Sequence, residues 1–341
     1  GGFNLDKIIS LDDKRKKLLI EVERLRAQKN LGSNLISKSD LAHQVDVLKR
    51  KISENSLPTL KQKIVDMQMQ KEERKKLEPQ LKKIEEELKN KLSELPNLVA
   101  DDVLSGGKEN NKVLKKFGKK PQFSAKVGFK TKDHIQLAEE LNIIDYERGT
   151  KISGSGFWFY KSEGAILEWA LLNYFVDFHL KNKYEFLLPP FLLSEESAFV
   201  SGHLPKFKDD LYWTQNNLCL NATSEMMILN YHKDEVLAEK DLPKKYFAYS
   251  TCFRREGGGY RHEERGMVRG HQFNKVEMFQ FVKPEKTWEA FNELVKNAEK
   301  LVAQLGLHSQ LVQLASGDMA ESMAKTIAIA VSLPSSNDFW Y

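Results

Sequence analysis

Two long stretches rich in Lys, Glu, Leu and Gln, separated by a short turn, dictate how this chain must begin. The first runs from about Leu11 to Ile52. Leu18, Val22 and Leu25 stand at four-then-three spacing, and Leu41, Val45, Leu48 and Ile52 repeat it. The two groups do not share one heptad frame, which puts a stutter or local break at Gly32-Ser33-Asn34. Ser53 to Pro58 reads as a turn, with Pro58 an early helical residue. A second helix follows from about Thr59 to Leu95. Its apolar stripe opens with Leu60, Ile64 and Met67 and closes with Leu81, Ile84, Leu88, Leu92 and Leu95. Lys71 and Arg74 interrupt it, and Pro79 is expected to kink it. Helices of similar length on a short connection fold back as an antiparallel hairpin, and one that buries little else projects from a body. The pattern also suits a dimerising coiled coil, although so irregular a seam fits self-pairing better.

Charge follows the same division. Residues 1–100 hold 22 Lys+Arg against 16 Asp+Glu, while the rest hold 31 against 32, so the excess of +5 lies in the helical segment. A polyanionic partner would be met there. On charge alone, a solvated lysine-rich helical surface is the simpler account. With 341 residues, 41% of them hydrophobic and 30% charged, the chain has material for two or three domains and is not disordered. No apolar run reaches membrane-spanning length, and the first residues lack a signal-peptide pattern. Cys219 and Cys252 have no metal-ligand spacing and fit a reducing cytoplasm. The chain begins at Gly1 without a methionine, so it is expected to be part of a longer reading frame.

Pro96-Asn97-Leu98 stops the second helix. The polar, glycine-containing and lysine-rich stretch after it is expected to be a linker over 96–122, between an arm (1–95) and a body (123–341). In the body, Asp133–Leu141 and Gly164–His179 read as helices. Phe157–Tyr160 reads as an aromatic strand, Tyr184–Leu193 as a single strand containing two prolines, Pro284–Leu305 as an amphipathic helix and Thr326–Val331 as a strand. Ser153-Gly154-Ser155-Gly156 lacks the Lys-Ser/Thr of a phosphate loop. His203 is given no role.

The chemistry concentrates in Phe253-Arg254-Arg255-Glu256, three glycines, and the return strand carrying Arg269, Gly270, Phe273 and Glu277. Arginine offers phosphate a planar fork, an aromatic face can stack a base, and carboxylates can hold an ammonium. Upstream, Thr223-Ser224-Glu225 ends a strand. Thr223 and Glu225, two residues apart, can point into one pocket; equally, Thr223 can cap a helix from Glu225 to His232.

Phe-Arg-Arg-Glu with Arg-x-x-x-Phe-x-x-x-Glu resembles motif 2 of class II aminoacyl-tRNA synthetases, and its surroundings are most similar to the seryl-tRNA synthetase family. Ser201–Phe207, Gly317-Asp318-Met319 and Ala324-Lys325-Thr326 add to the resemblance. Gly156 departs from it, standing where the family usually has arginine, and so does Lys183, where a glycine is usual. The resemblance implies an α+β protein, with an antiparallel coiled-coil arm gripping tRNA-Ser and a class II antiparallel-sheet catalytic domain. It implies a serine–tRNA ligase: L-serine is activated with ATP and Mg²⁺ to seryl-adenylate, then transferred to tRNA-Ser, with tRNA-Sec a further acceptor. Arg254 would be the catalytic clamp. Thr223, Ser224, Glu225 and Glu277 would hold serine; Arg254, Arg255, Glu256, Gly270 and Phe273 would hold ATP, and no residue would hold a resident metal. A homodimer through the Tyr184–Pro190 region and a cytoplasmic location are implied too. Motif 3 would lie beyond Tyr341, so these residues alone are expected to have little activity. The alternatives are an inactive or retargeted paralogue that binds RNA or a carrier protein, and a coiled-coil interaction protein.

Overall fold

A computed structural model describes residues 4–37, 57–121, 131–256, 266–335 and 338–341, without the side chains of 30–37, 57–64 and 67. The chain divides into two compact units, Gly1–Leu95 and Pro96–Tyr341.

The first unit pairs helix α1 (Leu5–Ser37) with helix α2 (Leu57–Ser93). Leu11, Val22 and Leu25 of α1 are buried, as are Leu81 and Leu88 of α2. Lys7 meets Glu87 at 3.5 Å and Arg26 meets Glu78 at 3.0 Å, so the helices run antiparallel within one chain. Arg74 is half-buried and lies 3.8 Å from the same Glu78 carboxylate, which accounts for a polar residue inside the seam. The helix runs unbroken through Gly32-Ser33-Asn34, so there is no local break there, and α2 stays helical through Pro79. Helical hydrogen bonding carried by the flanking turns overrides one weak residue. Pro58 is the second residue of α2, where its missing N–H costs nothing. The repeat at Leu41, Val45, Leu48 and Ile52 lies outside the described residues.

The second unit begins earlier than expected. Lys112–Phe117 is strand β1, paired antiparallel with β9 (Ser309–Gln313), so the stretch expected as a linker contributes a sheet edge. Its lysines suit such an edge, where charge discourages further pairing. Next come α3 (His134–Glu140), closed at its start by a reciprocal Asp133–Gln136 capping box, and β2 (Ile144–Asp145). Helix α4 (Tyr146–Ser153), capped by Asp145, was not foreseen, and the aromatic strand shrinks to β3 (Phe159–Tyr160). Helix α5 (Ser162–Lys181) leads to β4 (Glu185–Leu187), and β5 (Leu192–Ser194) is separate. The two prolines between β4 and β5 remove ladder donors and split the expected single strand.

Helix α6 (Glu195–Val200), β6 (Leu218–Leu220) and α7 (Glu225–Asn230) precede the two longest strands, β7 (Lys244–Phe253) and β8 (Gln272–Phe281). Helix α8 (Thr287–Gln304), β9, β10 (Ile327–Leu333) and β11 (Asp338–Trp340) complete the order. Strands β1-β9-β10-β11 form one antiparallel sheet, and β4-β7-β8 another in which only β4–β7 is parallel.

Strands β7 and β8 pair over their whole length, from Lys244↔Phe281 to Phe253↔Gln272. Directly paired residues share a face. One face carries the small buried Ala248, Ser250 and Cys252 opposite Glu277, Lys275 and Phe273. The small side chains leave room for the turn before α7, whose Ser224 hydroxyl lies 2.7 Å from that of Ser250. The other face packs on α5: Tyr249 and Thr251 donate to the Asn274 side-chain oxygen, and Asn274 donates to Glu168. Phe247 on that face stacks on Phe186 at 4.7 Å.

Candidate active site

A cavity of about 390 Å³ opens on the face of β8 that carries Lys275. Thr223 and Glu225 line it from the turn before α7, Arg254 and Glu256 from just past β7, Arg269 from the segment before β8 and Lys275 from β8 itself. His203 and Met323, from the loops after α6 and β9, close its sides.

Arg254 continues the β7 alternation onto this face. Its N–H donates to the His271 carbonyl at 2.9 Å, extending the hairpin pairing by one step. Its Nε donates to the Ala222 carbonyl at 3.3 Å, and its guanidinium carbon lies 5.2 Å from the Phe273 ring centroid. A main-chain acceptor and an aromatic face thus hold the fork at the cavity edge. Glu256 reaches the same cavity by another route than expected. It lies beyond the strand in the left-handed region, φ 49°, so strand alternation does not place it. Its carboxylate accepts from Arg269 Nε at 2.6 Å instead.

Thr223 is buried and donates to Glu277 Oε2 at 2.7 Å, and Lys275 Nζ bonds to Thr223 Oγ1 at 2.9 Å and Glu277 Oε2 at 2.5 Å. Glu277 is not itself a cavity wall; it stands behind these two residues. Burial pushes the Glu225 carboxyl above the usual carboxylate range, with the Glu277 charge adding to the rise and the Lys275 charge opposing it. Burial lowers the His203 imidazole, and the charges of Arg254 and Lys275 add to that fall.

The Thr223 hydroxyl serves both readings, donating to Glu277 at 2.7 Å and accepting from the Glu225 N–H at the start of α7 at 3.5 Å.

Other sequence-derived residues lie elsewhere. The Ser224 side chain is fully buried on Ser250, away from the cavity. As the middle residue of the Thr-Ser-Glu turn it turns from the cavity towards β7, whose small residues receive it. Arg255 is exposed and meets the structure through its N–H, which donates to the Asp210 carbonyl at 2.9 Å. Gly270 is buried under Trp158: a β-carbon there would lie 2.3 Å from the indole ring. Phe273 reaches the cavity only through Arg254 above it. The three glycines after Glu256 lie outside the described residues.

Lys275 was not among the residues expected in the site, and Arg269 was named in the motif without a ligand of its own. The signal for Lys275 was present, since it stands two residues from both Phe273 and Glu277 and so shares their face.

A fork for phosphate and carboxylate, a hydroxyl and two carboxylates for a small polar cation, and an aromatic ring under the fork favour positioning and electrostatic stabilisation over acid–base catalysis. Among the described residues, no three His, Cys, Asp or Glu side chains come together as a metal site.

The model for the "Seryl-tRNA synthetase N-terminal domain" matches residues 2–99, and that for the "tRNA synthetase class II core domain (G, H, P, S and T)" matches 206–341. The chain is 46% identical to serine–tRNA ligase 2 of Clostridium acetobutylicum, covering 99% of this chain and 77% of that protein. It is 40% identical to the serine–tRNA ligase of Petrotoga mobilis, over 98% of this chain and 76% of that one. Among solved structures, seryl-tRNA synthetase from Pyrococcus horikoshii complexed with ATP matches with TM-score 0.82 and 27% identity, over 98% of this chain and 76% of that one.

Proposed function

The chain belongs to the seryl-tRNA synthetase family and has serine–tRNA ligase function, and from that premise we propose how its own residues divide the work. The observation that carries the assignment is the Thr223–Glu277–Lys275 hydrogen-bonded group beside Glu225 and Arg254. Thr223, Glu225 and Glu277 receive the serine ammonium and hydroxyl. Arg254 holds the serine carboxylate and the ATP α-phosphate in one fork. The serine carboxylate oxygen then bonds to the α-phosphorus as the bond to pyrophosphate breaks, and Arg254 stabilises the charge that gathers on phosphorus. No side-chain base is needed, because the nucleophile is already an anion. In the second step the terminal ribose hydroxyl of tRNA attacks the seryl carbonyl and AMP leaves.

ATP lies with its adenine against Phe273 and near Glu256 and the Gly270 main chain. The ATP complex of the Pyrococcus horikoshii relative supports this reading. Mg²⁺ would travel on the ATP phosphates and neutralise them there. The arm is the proposed grip on tRNA-Ser, supported by its basic surface and its match to the family's N-terminal domain. A homodimer is supported by exposed Ile166, Leu167 and Trp169 on α5 and Leu188 after β4. Among the described residues no helix is long and apolar enough to cross a membrane; we assign the work to the cytoplasm, where tRNA is charged.

The assignment is tested by thermal shift with L-serine, L-alanine and L-cysteine. L-serine alone is expected to raise the melting temperature, and Glu277→Gln to abolish the rise. A Glu277→Gln protein that responds to serine like the parent would refute it.

A further inference from the structure

Glu277 is the carboxylate best placed to hold a substrate ammonium, yet in the free protein another ammonium already occupies it. Lys275 Nζ stands 2.5 Å from Glu277 Oε2 and 2.9 Å from Thr223 Oγ1, and that same Oε2 accepts the Thr223 hydroxyl at 2.7 Å. Lys275 and Thr223 line the cavity while Glu277 does not, so an incoming cation meets this closed group before it meets the carboxylate. Glu225, on the neighbouring wall, accepts no side-chain hydrogen bond among the described residues and is the free anion a cation would first approach.

Resting on the serine reading above, we propose that Lys275 is a positioning residue whose ammonium holds the place of the substrate's ammonium in the free site and is exchanged for it when serine binds. Several features carry this. Register fixes Lys275 on the same face as Glu277 and opposite the small, buried Ser250, so its stem lies along the strand pair towards Glu277. A lysine has the reach and the rotamer freedom to leave: its four-carbon stem carries a point charge, not a fork fixed in one plane. Charge also balances through the exchange. The groups around Nζ are Glu277 on its own strand, Thr223 and Glu225 from the turn before α7, Arg254 from the end of β7 and His203 from the loop after α6. Serine brings an ammonium and a carboxylate together. The first replaces Nζ on Glu277, and the freed Nζ faces the second. A ligand with the ammonium but no carboxylate displaces Lys275 without that compensation.

This asymmetry gives the test. Ethanolamine keeps the ammonium and hydroxyl of serine and lacks its carboxylate. Its affinity and that of L-serine are measured by calorimetric titration on the parent protein, Lys275→Met, Lys275→Arg and Glu277→Gln, with melting temperatures to confirm folding. Removing the internal competitor is expected to tighten ethanolamine about tenfold or more in Lys275→Met, as a closed state excluded from binding is lost. Serine gains far less or weakens, so the preference for serine over ethanolamine falls. Lys275→Arg, which keeps the charge, shows no gain for ethanolamine and serves as the second variant if the methionine form is unstable. A merely structural lysine would weaken both ligands alike in both variants. Ethanolamine binding that is unchanged or weaker in folded Lys275→Met overturns the exchange and leaves the serine site standing. Undiminished binding of both amines to Glu277→Gln overturns the serine site, and the exchange with it.

Discussion

The guanidinium carbon of Arg254 stands 5.2 Å from the centroid of the Phe273 ring, and its Nε is tied to the Ala222 carbonyl. Arg254 follows Cys252 by two residues, and Cys252 is paired with Phe273 across the hairpin, so strand register itself delivers the fork to the ring. The arginine is therefore held before any ligand arrives, and less of its rotamer entropy remains to be lost on binding.

Arg254→Ala is expected to weaken binding of a sulfamoyl analogue of seryl-adenylate by about 10²–10³-fold, the loss typical of one charge-stabilising donor. Arg254→Lys should recover little of it, because a single ammonium cannot span two anions as a planar fork does. Titration calorimetry checks both, with the melting temperature changing little. Near-parental affinity in Arg254→Lys would show that charge alone suffices.

Glu225 places function and stability in opposition. Burial, then the Glu277 charge, raises its carboxyl above the ordinary range. A carboxyl raised in the fold contributes its stability while protonated, below the unfolded value, and loses it as pH rises through the raised one. At pH 7 the ionised group is thus a cost. Glu225→Gln should be more stable than the parent by about 1 kcal/mol or less after screening, roughly 2–4 °C in a domain of this size. The gain should shrink towards pH 4, and serine binding should weaken. Melting curves at pH 4 and 7 decide this; a gain equal at both would rule out the charge as its cause.

His179 is buried among Phe178, Tyr184 and Phe247, and burial lowers its imidazole to about 4. Its stability contribution is complete above the unfolded value near 6.5 and is lost as pH falls towards 4, because only the unfolded chain accepts the proton in that window. Denaturant midpoints of the parent should fall more steeply between pH 6.5 and 4 than those of His179→Phe, by an amount on the order of a few kcal/mol. Parallel curves would exclude His179 from the acid response.

Gly270→Ala places a methyl 2.3 Å from the Trp158 ring and should cost about 1–3 kcal/mol as an overpacked site. Trp158→Phe should recover part of that loss in the double variant. Chemical unfolding of the four proteins measures the coupling. Additive costs would mean that the two residues do not constrain each other.

Much of this was legible in the sequence, for identifiable reasons. The arm followed from spacing, since Val22, Leu25, Leu81 and Leu88 of the apolar stripes are buried between the helices. The β7–β8 hairpin and its functional face followed from the two-residue period that joins Phe273 to Glu277. Three things were hidden. Strand β1 reads as a polar linker because Lys112, Lys115 and Lys116 dominate it, and its apolar Val113 and Leu114 are adjacent and exposed, so they show no strand alternation. Ser224 shares a turn with Thr223 and Glu225, and only the pairing with Ser250 reveals that it faces the core. Lys275 was given no role, because nothing local announces that its ammonium closes on Thr223 and Glu277.

The central claim, that this cavity is built for serine, is tested most directly by titrating the protein with sulfamoyl analogues of seryl- and alanyl-adenylate. A site whose buried Thr223 awaits a hydroxyl should bind the alanyl form about 10²-fold or more weakly, because the polar group it leaves unpaired is buried. Thr223→Val should erase most of that difference. Equal affinity for the two analogues in the parent protein would contradict the account.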